Sequence, residues 1–211
     1  MTIRKLTKYL GEDGFEFTFE PIEESITITK TNEGYQVRYL TPDESSEPPS
    51  VWADDNLFLV HYHRSFQVEH KSIICEDDLK EIFQSKEEDH QEGDTIHDEY
   101  HVFPVSSYIH SGVRLSLGDG FRGRLPEGHY RFDVSFCGAV FVSKNEWPNY
   151  EDAERAAVNL VSTWNMYLSG DVYLAVKETY YKDKEPINYD CHGGIYGYDS
   201  ALANLKENEL F

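Results

Sequence analysis

The sequence predicts an α+β fold: a mainly antiparallel β-sheet with one long helix, about 151–169, packed on it and short accessory helices. Three observations carry this prediction. Several segments alternate apolar and polar residues with a period of two, as Phe15, Phe17 and Phe19 do against Glu16, Thr18 and Glu20. Compact turn signals such as Asn32-Glu33-Gly34 and Pro126-Glu127-Gly128 separate these segments. A single stretch sustains helical spacing over many turns: Ala153, Ala156, Ala157, Leu160, Val161, Trp164 and Leu168 form one apolar face, and Gly170 supplies a left-handed stop.

Residues 2–40 read as antiparallel strands, with Ile26 and Ile28 alternating with threonines before Tyr35, Val37 and Tyr39. The apolar-free stretch 41–50, TPDESSEPPS, reads as a linker, so the predicted division is an N-terminal β subdomain at 1–40 and a main α+β domain at 51–211. Residues 56–61 form a strand after the Asp54-Asp55-Asn56 turn signal. Leu57, Phe58, Leu59 and Val60 make it apolar on both faces, which places it in the middle of a sheet. Leu79, Ile82 and Phe83 mark a short helix at 76–83 with acids in its first turn, and 85–94 is polar throughout. Strands follow at 102–110, 113–117, 129–136 and 139–142. After the long helix come strands at 171–181 and 188–198, and Asp199-Ser200 opens a last helix through Leu205.

With 19 basic and 39 acidic residues the net charge is -20, which argues against direct binding of nucleic acid and of anionic membrane surfaces. No stretch approaches the ~20 apolar residues of a membrane helix. The opening MTIRKLTKYLGEDG lacks the apolar core of a secretion signal. Cys75, Cys137 and Cys191 are sparse and lack a C-x-x-C pair, so reduced thiols are expected, with Cys137 and Cys191 packed as small hydrophobes. These features together predict a cytoplasmic protein.

His61 and His63 share one face of a strand, a spacing that can chelate a metal. The metallo-hydrolase motif His-x-His-x-Asp-His fails, however, because Arg64 and Ser65 follow His63, and the later spacing misses the cupin pattern. No metal and no cofactor is therefore expected. No nucleophile elbow or phosphate loop occurs, and Gly193-Gly194 reads as a strand crowded against a neighbour. If the chain is an enzyme, the candidate catalytic set is His61, His63, Arg64, His70, His110 and Asp171, able to supply general acids, bases and a guanidinium for an oxyanion or phosphate. The acidic stretch offers a different function. Residues 76–99 carry eleven acids and two lysines, a local net of -9, whereas 101–150 carry five bases and four acids. Carboxylates spread over a surface imitate the phosphates of duplex DNA, so Asp77, Asp78, Glu81, Glu87, Glu88, Asp89, Glu92 and Asp94 form the candidate partner-binding set. A solvated helix face and loop is the simpler account of such a run.

The order Asp55-Asn56-Leu57, His63-Arg64, Pro104-Val105, His110-Ser111-Gly112, Arg131-Phe132-Asp133 and Phe141-Val142-Ser143-Lys144 continues into Tyr167–Tyr173 (YLSGDVY) and Gly194-Ile195-Tyr196-Gly197. These residues resemble a family of uncharacterised proteins of bacteriophages and bacterial mobile elements, over roughly residues 54–197. The resemblance implies the cytoplasm of a bacterial host as the setting. By analogy it implies a counter-defence protein of anti-restriction or anti-CRISPR type. Such a protein would inhibit a host nucleic-acid-binding defence protein by offering an acidic, DNA-mimicking surface to its basic groove. Two other expectations stand beside it: an enzyme of phosphodiesterase or nuclease type, and a non-inhibitory structural or replication accessory protein.

Overall fold

The computed structural model describes residues 7–10, 16–19, 21–22, 25–62, 74, 76–84, 95–181 and 188–206. Helices and antiparallel sheets realise the α+β class, and the chain gathers into two compact units, Met1–Ser46 with Gly170–Phe211, and Glu47–Ser169. One division falls inside the predicted 41–50 linker. The predicted 1–40 segment is nevertheless not self-contained, because its strands at Thr27–Lys30 and Gly34–Pro42 share a sheet with strands from the C-terminal part of the chain, whereas Thr7–Leu10 and Glu16–Phe19 pair with each other.

In the first unit β1 (Thr7–Leu10) and β2 (Glu16–Phe19) form a hairpin. A four-stranded sheet is built from β3 (Thr27–Lys30), β4 (Gly34–Pro42), β9 (Val172–Tyr181) and β10 (Asn188–Tyr196), in the order β10-β9-β4-β3. The alternation read in the sequence sorts its faces. Tyr35, Val37, Tyr39, Val176 and Tyr180 pack on one side. On the other, Leu40, Ala175 and Ile195 meet Ala201 and Leu205 of α5 (Tyr198–Lys206). Glu178 is buried among the tyrosines and accepts hydrogen bonds from the hydroxyls of Tyr39 (3.1 Å) and Tyr180 (2.6 Å). The Gly193-Gly194 pair does bring backbone close to a neighbour. Gly194, at φ 68°, donates its N–H to Asp43 Oδ2 (2.8 Å), and a Cβ at Gly193 would lie 2.7 Å from the same oxygen. Cys191, expected to be packed, is exposed, because it falls on β10, which has a sheet neighbour on one side only among the described residues.

The second unit holds β5 (Leu57–His61), α1 (Glu76–Gln84), α2 (Thr95–Glu99), β6 (Tyr100–Ile109), β7 (Val113–Leu117), α3 (His129–Asp133), β8 (Val134–Ser143) and α4 (Tyr150–Ser169), with sheet order β5-β8-β6-β7. The side chain of Asp54 accepts the N–H groups of Asn56 (2.9 Å) and Leu57 (3.2 Å), which opens β5 as the sequence suggests. Those backbone donors, Asn56 first, hold the Asp54 carboxyl below the usual range. Strand β5 is an edge strand among the described residues, not the predicted central one. Its two-sided apolar character has another cause. Leu59 faces the core under α4, while Phe58 and Val60 face the core that Leu79 of α1 closes. Layers above and below bury a strand regardless of its lateral position.

Asn149 caps α4, its Oδ1 accepting the N–H of Glu151 (2.8 Å). Ala153, Ala157, Val161 and Trp164 of α4 then bury against Phe103, Val105, Leu115, Val140 and Val142. Fully burying each large side chain stabilises by about 1.5–3 kcal/mol. Pro104 of β6 lacks the N–H that would pair with β7. Gly118 O instead accepts Ser106 Oγ (2.9 Å), while Pro104 O accepts the Gly118 N–H (2.7 Å). The predicted strands 129–136 and 139–142 are corrected. Residues 129–133 are one helical turn, entered through Gly128 at φ 86°, and 134–143 is a single strand. Val105 opposes Gly138 and Ser106 opposes Phe136, so Cys137 is the extra residue of a bulge.

Candidate functional site

The site is built where β6 ends. Tyr108 and His110 are two apart and so point the same way, their rings stacked at 6.1 Å and 13°. Tyr108 pairs with Val134, the first residue of β8, so the turn of helix immediately before it lies beside Tyr108. His129 and Asp133 are i and i+4 on that turn and share its face. The consequence is a convergence on one carboxylate oxygen. Asp133 Oδ2 lies 3.5 Å from His110 Nδ1 and 3.3 Å from His129 Nδ1. Tyr108 Oη is 2.9 Å from His129 Nδ1, and the two imidazole rings are 4.6 Å apart. His129 and Asp133 are partly buried and His110 is more open.

Tyr108 and His110 also line an open cavity of ≈ 1000 Å3 bordered by the β6–β7 turn, the 118–125 loop and the last turns of α4. Arg114 and Arg124 line it too, and neither has a carboxylate partner among the described residues. Asn165 of α4 forms part of the wall and pairs with the free edge of β7, accepting the Leu115 N–H (2.8 Å) and donating to Leu115 O (2.9 Å). Ser111, at φ 60°, turns the chain out of β6 at the cavity rim.

Of the catalytic residues the sequence suggested, His110 is in this cluster. His61 is buried at the end of β5 opposite Gly138 and is not part of it. Asp171 belongs to the other unit, where its backbone carbonyl accepts the Gly197 N–H (2.9 Å). Burial, and then a hydrogen bond to Asp171, push the neighbouring Tyr173 phenol up to about 12. His63, Arg64 and His70 lie outside the described residues. In the acidic set, Asp77 and Asp78 are exposed on α1, and Glu81 belongs to the same helix. Glu87, Glu88, Asp89, Glu92 and Asp94 lie outside the described residues. In the sequence His129 is set aside with the cupin spacing it misses, and Asp133, Arg114 and Arg124 are given no role in a site. The one available signal was the His129-x3-Asp133 spacing. No family model, no curated protein and no solved structure matches the chain.

Chemically, two imidazoles and a carboxylate, with two guanidiniums that have no carboxylate partner among the described residues lining the same cavity as His110, can move a proton and hold an anion. Among the described residues no helix is long and apolar enough to cross a membrane.

Proposed function

We propose that the Glu47–Ser169 unit binds a phosphate ester in this cavity and hydrolyses it at the His110–His129–Asp133 cluster, as an enzyme of phosphodiesterase or nuclease type. The observation that carries the reading is the pair Arg114 and Arg124. In a chain with 39 acidic and 19 basic residues, two arginines lacking a carboxylate partner among the described residues line the same cavity. A guanidinium offers forked donors that match phosphoryl oxygens. In the reaction a water oxygen forms the new bond to phosphorus and the ester P–O bond breaks. The water gives up one proton at the cluster, and the leaving oxygen takes one up from solvent.

The test is turnover of bis(4-nitrophenyl) phosphate and of a short labelled single-stranded oligonucleotide by the full chain. His129→Ala, and separately the pair Arg114→Ala with Arg124→Ala, are expected to lose on the order of 10²-fold or more in rate while keeping the parent circular dichroism. No turnover by the parent, or equal turnover by folded variants, rejects the reading.

One observation favours the counter-defence reading as a second proposal. Leu79 anchors α1 with 1% exposure, while Asp77 and Asp78 face solvent. Exchanging Asp77, Asp78, Glu81, Glu87, Glu88 and Asp89 together for Asn or Gln would then abolish capture of a basic, DNA-binding host protein. Capture unchanged by that exchange removes this alternative.

A further inference from the structure

We infer that His110, His129 and Asp133 are the three protein ligands of a single divalent transition-metal ion, zinc being the ion their chemistry suits best, with a remaining position open toward the cavity. Ion binding stands on the geometry below; its catalytic role rests on the hydrolase reading.

The first support is the spacing. A charge-assisted N–H···O bond to a carboxylate closes to about 2.7–2.9 Å, whereas both imidazole nitrogens stand farther from Asp133 Oδ2, at 3.3 and 3.5 Å. Donors at about 2.0–2.1 Å from a tetrahedral zinc lie about 3.3–3.4 Å from one another, and the three donor atoms here all fall within 4.8 Å. The second support is the donor set. Two imidazoles and one carboxylate match the three-ligand, one-water composition of catalytic zinc sites rather than the closed four-ligand structural kind. The third is placement on regular elements. His129 and Asp133 sit on one helical turn between Gly128 and β8, and His110 follows directly on a paired strand.

Such an ion would bring the pKa of its bound water to near neutrality. The water would ionise at the cluster, its proton passing on to solvent; the hydroxide oxygen would form the new bond to phosphorus as the ester P–O bond breaks, the leaving oxygen would take a proton from solvent, and Arg114 and Arg124 would hold the phosphoryl oxygens, with no redox change. Sequence spacing could not reveal the set, because β7 and the turns around it lie between His110 and His129, with no motif linking the two.

The experiment is calorimetric titration of the full, tag-free chain with zinc after treatment with a chelator, repeated with cobalt to read the visible absorption of a tetracoordinate ion. One equivalent is expected. His110→Ala, His129→Ala and Asp133→Asn should each weaken binding by more than about tenfold, with His192→Ala unchanged as the control for adventitious sites. Absence of a one-to-one site overturns the inference, as does binding that survives all three substitutions or is lost only in the control. The two proposals also fail separately. Zinc bound at the triad without phosphodiester turnover sinks the hydrolase reading alone, whereas turnover that persists in chelated protein showing no zinc site sinks the metal alone.

Discussion

Raising the pH should unfold the four-stranded sheet of the first unit through two tyrosines. Burial raises the Tyr39 phenol well above its ordinary value of 10.0, and the Glu178 charge adds to the shift; for Tyr180 burial comes first and its hydrogen bond to Glu178 second. Both phenols are 7% exposed, and Glu178 is 8% exposed. A group with a raised folded-state pKa keeps its stabilisation below the unfolded value and loses it as pH climbs toward the folded one. Above pH about 10 the unfolded chain releases protons that the fold retains, and each phenol costs about 1.36 kcal/mol of stability per pH unit. Two phenols remove roughly 2.7 kcal/mol per unit, or about 4 kcal/mol by pH about 11.5, a large part of the ~5–15 kcal/mol of a typical domain. The assay follows phenolate absorbance and far-ultraviolet circular dichroism in one alkaline titration. Part of the phenolate signal should appear together with loss of sheet. Tyr39→Phe should be less stable at neutral pH by about 1.5–3 kcal/mol, since Glu178 loses a hydrogen bond. Its alkaline slope should fall by about half. Release of all phenolic protons near pH 10 with the sheet intact would refute the reasoning.

Two further outcomes follow from the second unit. Binding of a labelled single-stranded oligonucleotide through Arg114 and Arg124 should weaken about sevenfold when salt rises fourfold, taking about 0.7 of a counterion per phosphate contact and two contacts; Arg114→Ala with Arg124→Ala should flatten that slope in a fluorescence titration. Gly138→Ala should unpair β5, since the new Cβ would lie 2.1 Å from Val60 O, a backbone atom that cannot rotate away. The loss should reach at least ~1–3 kcal/mol and appear as faster amide exchange at 57–61.

The fold was legible wherever one face of an element was wet. Strands β3 and β4 alternate over 27–39 in the sequence as they do in the structure, and the α4 stripe names the residues that bury. Legibility ended where burial on two sides erased the pattern. β5 reads like a central strand because α1 and α4 cover its faces, and no periodicity reports which strands lie beside it. It ended again at 129–136, where Tyr130, Phe132, Val134 and Phe136 alternate like a strand although the first five residues make a helical turn. Gly128, at a left-handed φ, sets the entry to that turn, and a tertiary neighbour, Tyr108, stands against it.

The site was half legible for a related reason. His110 could be singled out as a polar group at a strand end, but its partners lie about twenty residues downstream, and only the pairing of β6 with β8 returns them to it. The charge pattern, by contrast, was in plain view. Residues 101–150 carry five bases and four acids in a chain of net charge -20. Two of those bases, Arg114 and Arg124, line one cavity, and one of those acids, Asp133, holds the histidine pair beside it. An anion approaching this protein meets repulsion from the chain as a whole, yet at physiological salt that field fades over roughly 8 Å. Contacts at hydrogen-bond range inside a cavity are not screened in the same way. Acidic composition therefore argues against a surface that grips a long nucleic acid through many phosphates, and it leaves room for a pocket that takes one or two.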